Sequence, residues 1–226
     1  MSVIWERPAP ARRGVDLDLE RIVAAATAVA DSEGLEAVTL RRVAADLGVL
    51  PMRLYTHLGT KDDLLDLMLD TAYGQVESPS GTDWREILTA LARRLRAVAQ
   101  RHPWLPRLMG ARDPIGPHGL RLTEHVWQTL HALDPTPATA AARAAAFIGY
   151  VTGALQQQTG APNDEQVRRY LAAAVAGGAL PTLARVFAEL TPTDTYELGL
   201  RVVLDGIGAA GGSEPDRSQG TGRARR

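Results

Sequence analysis

Apolar residues recur three and four positions apart along almost the whole chain, and no stretch combines strict alternation with the β-branched and aromatic residues that strands favour. That regularity points to an all-α fold, because a 3.6-residue period cannot keep one apolar face on a strand of period two. With 226 residues, 45% of them apolar, the helices have material for a sizeable core, as one large domain or as a small one joined to a larger one.

Start and stop signals divide the pattern. Asp16 or Asp18 can cap a first helix with Leu19, Ile22, Val23, Ala26 and Val29 inward, and Gly34 followed by Leu35 suits a left-handed C-terminal cap. Thr39 stands at the N-cap of a short second helix with Leu40, Val43, Ala44 and Leu47 inward, ended by Gly48. Pro51 fits the first turn of a third helix running to about Leu58, since the amide hydrogen it lacks would have no partner there. Thr60 and Asp63 form a capping signature ahead of a longer fourth helix over residues 61–76. Breaks near 77–82, 103, 112–117, 134–137, 160–163, 177–181 and 191–193 leave roughly six or seven further helices. Residues 7–14 and 211–226 carry Pro, Gly, Ser and Arg without apolar period and are expected to be mobile. The expected organisation is an arm over 1–15, a small domain over 16–70, a larger one over 71–210 and a tail over 211–226.

Several function classes are excluded at this level. Cysteine is absent, which removes disulfides, thiolate catalysis and cysteine-based metal sites, and fits a cytoplasmic location. The first fifteen residues lack the order of basic, apolar and small residues of a secretory signal. The apolar run over 144–155 falls short of the roughly 20 residues that span a bilayer and reads as a buried helix, so no membrane partner is expected. No G-x-S-x-G, H-E-x-x-H, P-loop or G-x-G-x-x-G occurs, and His118 and His125 lie seven residues apart, about 10.5 Å of helical rise, too far to ligate one metal. Neither an enzyme, a cofactor nor a metal is expected.

The net charge of −1 gives no general affinity for nucleic acid, but residues 37–61 are locally basic, with Arg41, Arg42, Arg53 and Lys61 against Asp46. Two short amphipathic helices joined by a glycine turn make a helix-turn-helix, whose second member puts its first turn into the major groove of DNA. Here that turn holds Pro51, Met52 and Arg53, with Leu54 and Leu58 as inward anchors.

Gly48, Val49, Leu54, Tyr55, His57, Leu58, Lys61 and Leu64, preceded by Thr39, Arg41, Val43 and Ala44, resemble the DNA-binding domain of the Tet repressor family in register. The resemblance implies that Thr39, Tyr55, His57 and Lys61 hold phosphates while Arg41, Pro51, Met52 and Arg53 face base edges. The chemistry agrees, because hydroxyls, a ring N–H and an ammonium donate to phosphate oxygen, and a guanidinium can bond both acceptors of a guanine. The resemblance also implies a homodimer on a palindromic double-stranded DNA operator, released by a small-molecule effector. A helical adaptor is the alternative, but it leaves Arg53, Tyr55, His57 and Lys61 unexplained.

The larger remainder is expected to dimerise and to bind the effector. Residues 138–158 place Phe147 and Tyr150 beside Gly149 and Gly153, where interior glycines suggest close approach of another backbone. Residues 194–210 align Tyr196, Leu200, Val203 and Ile207 at helical spacing. Those two helices are the expected dimer interface. Trp104, Met109, His125, Trp127 and Gln157 are the expected cavity lining. Where tetracycline-binding members carry a histidine near a Gly-Thr-Arg-Pro turn, this chain has Met109 to Pro114, so a metal-bound tetracycline is not the expected effector.

Overall fold

Helices in the N-terminal third begin where a side chain takes over an orphaned amide. In the computed structural model, which describes residues 3–6, 17–133, 136–159, 165–189 and 194–209, Asp18 accepts the Arg21 N–H at 2.8 Å ahead of α1 (Leu19–Glu33). Thr39 accepts the Arg42 N–H ahead of α2 (Leu40–Asp46). Gly48, at φ 66°, turns the chain into α3 (Pro51–Leu54), which starts on Pro51. A complete capping box opens α4 (Lys61–Gly74): Thr60 accepts the Asp63 N–H, and the Asp63 carboxylate accepts the Gly59 and Thr60 amides at 2.8 and 3.0 Å.

Three local expectations change. The third helix ends at Leu54 rather than near Leu58, because the Thr56 hydroxyl donates to the Arg53 carbonyl at 2.7 Å and the His57 amide bonds three residues back to Leu54. Gly34 has the positive φ expected of it, but φ 87° with ψ 164° is extended rather than left-handed helical. Within the arm expected over 1–15, Ile4–Glu6 form a turn of 3-10 helix with Ile4 buried. Asp16 and the stretches 7–14 and 211–226 lie outside the described residues.

Seven helices follow: α5 (Trp84–Arg101), α6 (Leu105–Ala111), α7 (Pro117–His131), α8 (Pro137–Thr159), α9 (Glu165–Ala176), α10 (Pro181–Glu189) and α11 (Thr195–Ala209). Every regular element among the described residues is helical. One apolar cluster runs from Ile22 in α1 through Leu64 and Met68 in α4 to Phe147, Val151 and Tyr196, so the two parts of the chain share a core. Helix α4 is the element in common, packing on α1 at one side and on α6 and α7 at the other. Helix α8 lies under α6, α7 and α11. With its flanks, α8 is longer than the run read from sequence, and residues Pro137–Gln158 are long and apolar enough by composition to cross a bilayer; a third (33%) of that stretch is buried, Arg143 included, where the helix packs on α6, α7 and α11.

Candidate DNA interface and interior cavity

The anchors of the helix-turn-helix point inward, and most of the residues expected to meet DNA point out. Leu54 and Leu58 are fully buried, while Met52 is 72% and Tyr55 51% exposed, and Thr39, Arg41, Arg53 and Lys61 are exposed with them. Pro51 and His57 are half-buried, and His57 Nδ1 has no hydrogen-bond partner in its buried position. Among the described residues no hydrogen bond or ion pair holds the side chains of Arg41, Arg53, Tyr55 or Lys61. Arg42 differs: it is tied to Glu33 at 2.6 Å and to Asp46, the Glu33 hydrogen bond raises its pKa, and it is committed to the fold. The sequence reading missed Leu50, which is 75% exposed beside Met52. Its signal was its place outside the inward set Leu47, Val49 and Leu54. An exposed aliphatic beside the reading turn suits the methyl group of thymine.

Polar ties connect this unit to the larger one. The Asp31 carboxylate of α1 accepts from His102 Nδ1 at 2.9 Å and from the Trp104 indole at 2.7 Å, while His102 Nε2 meets the Gln75 amide at 3.0 Å. Arg107 pairs with Glu36, and Arg112 with Asp62 and Asp66 in the first turns of α4. Further along α4, buried Asp70 accepts the amides of His118 and Gly119, both at 2.9 Å, and so caps α7 from a neighbouring helix. Gly116 leaves room for this: a Cβ there would lie 2.3 Å from the Asp70 carboxyl carbon.

Between α4, α5, α7 and α8 lies an apolar cavity of about 90 Å³, walled by Tyr73, Leu95, Met109, Leu122, Phe147 and Val151 among others. Burial, with the Asp70 charge second, raises the Tyr73 phenol to about 12.

Residues 22–68 match the family described as bacterial regulatory proteins, tetR family, and residues 78–210 match the tetracyclin repressor-like C-terminal domain. The chain belongs to the TetR family. The HTH-type transcriptional repressor DrrR1 of Streptomyces coeruleorubidus is 33% identical over 226 residues, covering 92% of this chain and 84% of its own length. An HTH-type transcriptional regulator of Saccharopolyspora erythraea is 35% identical over 161 residues, or 70% of this chain and 68% of its own. Among solved structures, apo ActR from Streptomyces coelicolor superposes with a TM-score of 0.77 at 28% identity, over 88% of this chain and all (100%) of its own. ActR in complex with actinorhodin gives 0.75 at 28% identity, over 87% of this chain and 98% of its own.

As a TetR-family chain this is a DNA-binding transcriptional regulator, and the side chains expected to line one cavity lie in separate places within its fold. Of the five expected cavity residues, only Met109 lines the apolar cavity. Trp104 is held by Asp31 at the junction of the two units, Trp127 is 36% exposed on the outside of α7, and Gln157 is exposed near Tyr150. His125 is half-buried with its Nε2 unpartnered and does not border the cavity. The wall residues missed, such as Leu95, Leu122 and Val151, read in sequence as ordinary core.

Of the expected dimer residues, Gly149 and Gly153 face outward and the others turn toward the chain's own core. Phe147, Tyr196, Leu200 and Ile207 are 1–3% exposed and belong to the chain's own core, with the Tyr196 hydroxyl donating to the Ala92 carbonyl at 2.8 Å. Val203 is half-buried against that core, and Tyr150 donates to the Tyr196 carbonyl at 2.6 Å. What α8 and α11 turn outward is Gly149, Gly153 and Gly206, each with open space where a Cβ would stand, and Leu198 and Val202 at 47% and 63% exposure.

Proposed function

We propose that this regulator is a homodimeric repressor that binds a palindromic operator and leaves it when a small molecule occupies the cavity beside α4. The observation that carries the DNA half is the exposed set Arg41, Arg53, Tyr55 and Lys61 on α2, α3 and the start of α4, without partners among the described residues, next to an Arg42 spent on Glu33. Side chains with no internal partner are available for phosphates and base edges, and Lys61 also stands at the end of α4 nearest them. Residues 16–70 form the DNA reader and 71–210 the sensing and dimerising part.

The homodimer reading rests on area left uncovered. The outward face of α8 and α11 offers glycines for close approach and Leu198 and Val202 for packing. Helices α9 and α10, which pack chiefly on each other, expose Tyr170, Leu171, Val186 and Phe187. A second copy covers such faces and sets two reading turns about 34–36 Å apart, one turn of DNA.

Effector release is supported by the cavity and by relatives: DrrR1 is named a repressor, and ActR has been solved with actinorhodin. A space of about 90 Å³ is below the roughly 300–1,000 Å³ of small-molecule sites, so entry must push its walls apart. Those walls include Tyr73 of α4 and Gly119 of α7, the two helices that Asp70 joins. Movement there is passed to the start of α4 and so to the DNA face. The regulator acts where its operator is, in the cytoplasm, with no membrane partner and no catalytic step. Footprinting and gel shifts on DNA flanking its gene test the reading: a two-fold symmetric protected site with steep salt dependence is expected, and no saturable binding at low salt would refute it.

A further inference from the structure

Thirteen residues border the cavity beside α4, and none of them is Asp, Glu, Lys, Arg or His. A charged ligand entering there loses its hydration and meets no counter-charge, which costs several kcal/mol for an ion in such surroundings. The wall is not wholly apolar, however. Tyr73, Thr123 and Thr152 contribute hydroxyls, and none of the three has a hydrogen-bond partner among the described residues. This is unusual for helical threonines, which commonly bond to the carbonyl four residues back, as Thr129 does to His125 at 2.8 Å. Tyr73 is the most enclosed of the three, at 9% exposure. Its proton stays on the oxygen at physiological pH, so what it offers the cavity is a donor. Its oxygen is not among the buried unpaired atoms and can reach water, so a ligand that fills the cavity displaces that water, and one without an acceptor leaves the donor unpaired at a cost. Ile148, 42% exposed, marks where the cavity reaches the surface, and unbranched Met109 can yield to a guest.

We propose that the cavity takes an uncharged, largely apolar ligand bearing an acceptor oxygen, and that the Tyr73 hydroxyl donates to that oxygen. This rests on the reading of the cavity as the effector site and adds the chemical class and the residue that selects it. The neighbouring hydroxyls of Thr123 and Thr152 tolerate a second polar group nearer the opening.

The test uses prodan, an uncharged naphthyl ketone whose emission reddens when its carbonyl accepts a hydrogen bond, and anilinonaphthalene sulfonate, an anion of similar size. Prodan is expected to bind saturably with reddened emission, and Ile148→Trp, which plugs the opening, is expected to abolish that binding. Tyr73→Phe should weaken binding roughly 3- to 10-fold and shift the bound emission to the blue. The sulfonate should neither bind the cavity nor displace prodan. Unchanged affinity and colour in Tyr73→Phe, with Ile148→Trp still blocking, overturn the role of Tyr73 and leave the cavity standing. Bound prodan that emits from the unaltered protein as it does in an alkane overturns it without any variant. Displacement of prodan by the sulfonate overturns the uncharged class. Prodan binding indifferent to Ile148→Trp removes the cavity reading on which the rest stands.

Discussion

Asp70→Ala is expected to loosen the joint between the helix that begins at the proposed DNA face and the helix that walls the cavity. The carboxylate of Asp70 is 6% exposed and accepts two amides of the first turn of α7, from His118 and Gly119 at 2.9 Å each. Alanine leaves both donors without that acceptor. The Gly119 bond is buried, and an unpaired buried donor costs about 1–3 kcal/mol, while the partly buried His118 amide can turn to water. Loss of an N-terminal cap, an overlapping measure of the same change, costs about 0.5–2 kcal/mol. Removing the carboxylate also removes the cost of burying it, which holds the net loss to about 1–2 kcal/mol. For a chain of this size that corresponds to a melting temperature lower by roughly 2–8 °C. Urea unfolding followed by far-ultraviolet circular dichroism measures it, with Asp70→Asn, which keeps an acceptor but no charge, expected to lose about half as much. A loss below about 0.5 kcal/mol for Asp70→Ala would show that the α7 amides find other partners, and the joint would lose its physical basis.

Other perturbations separate the remaining roles. Lys61→Ala should weaken binding to all DNA sequences alike and lower the salt slope by about one, whereas Arg53→Ala should relax preference at one base pair per half-site; unchanged discrimination in Arg53→Ala would remove its reading role. Val202→Glu should leave the fold intact and convert the proposed dimer to monomer by light scattering, because Val202 is 63% exposed on the chain alone, while Tyr196→Ala should cost about 3–5 kcal/mol of folding stability. The Arg93 hydrogen bond holds Glu197 below the ordinary carboxylate pKa, and Arg96 does the same for Asp194. Their contribution is therefore present above the ordinary carboxylate range and lost as pH falls through the lowered folded values, so urea midpoints should decline on the acid side and less so in Arg93→Ala. Tyr73 runs the other way: its raised pKa contributes stability below the ordinary phenol value, lost as pH climbs toward about 12, and a phenolate absorbance appearing with the exposed tyrosines would contradict that.

The sequence was most legible where structure depends on neighbours a few residues away. Asp18, Thr39 and the Thr60 and Asp63 pair cap the helices they announced, and Leu54 and Leu58 are the buried anchors that their spacing indicated. Of the local differences, the early end of α3 turns on a side-chain bond from Thr56 that competes with the helix for the Arg53 carbonyl. The larger part was less legible because α11 is apolar on more than one face. Tyr196, Leu200 and Ile207 form one stripe and Leu198 and Val202 another, and spacing alone does not tell which meets the chain's own core.

Local order, then, is written in the chain itself: helical period, capping residues, the glycine turn at Gly48 and the outward basic set follow from interactions spanning a turn or two. Which helix faces meet, that Asp70 reaches across to cap α7, and that Tyr73, Met109 and Phe147 share a cavity were decided by tertiary packing. The physical reason is that hydrophobic burial has magnitude but no direction, so a sequence states how much apolar surface must be covered and leaves the choice of covering partner to the assembled fold.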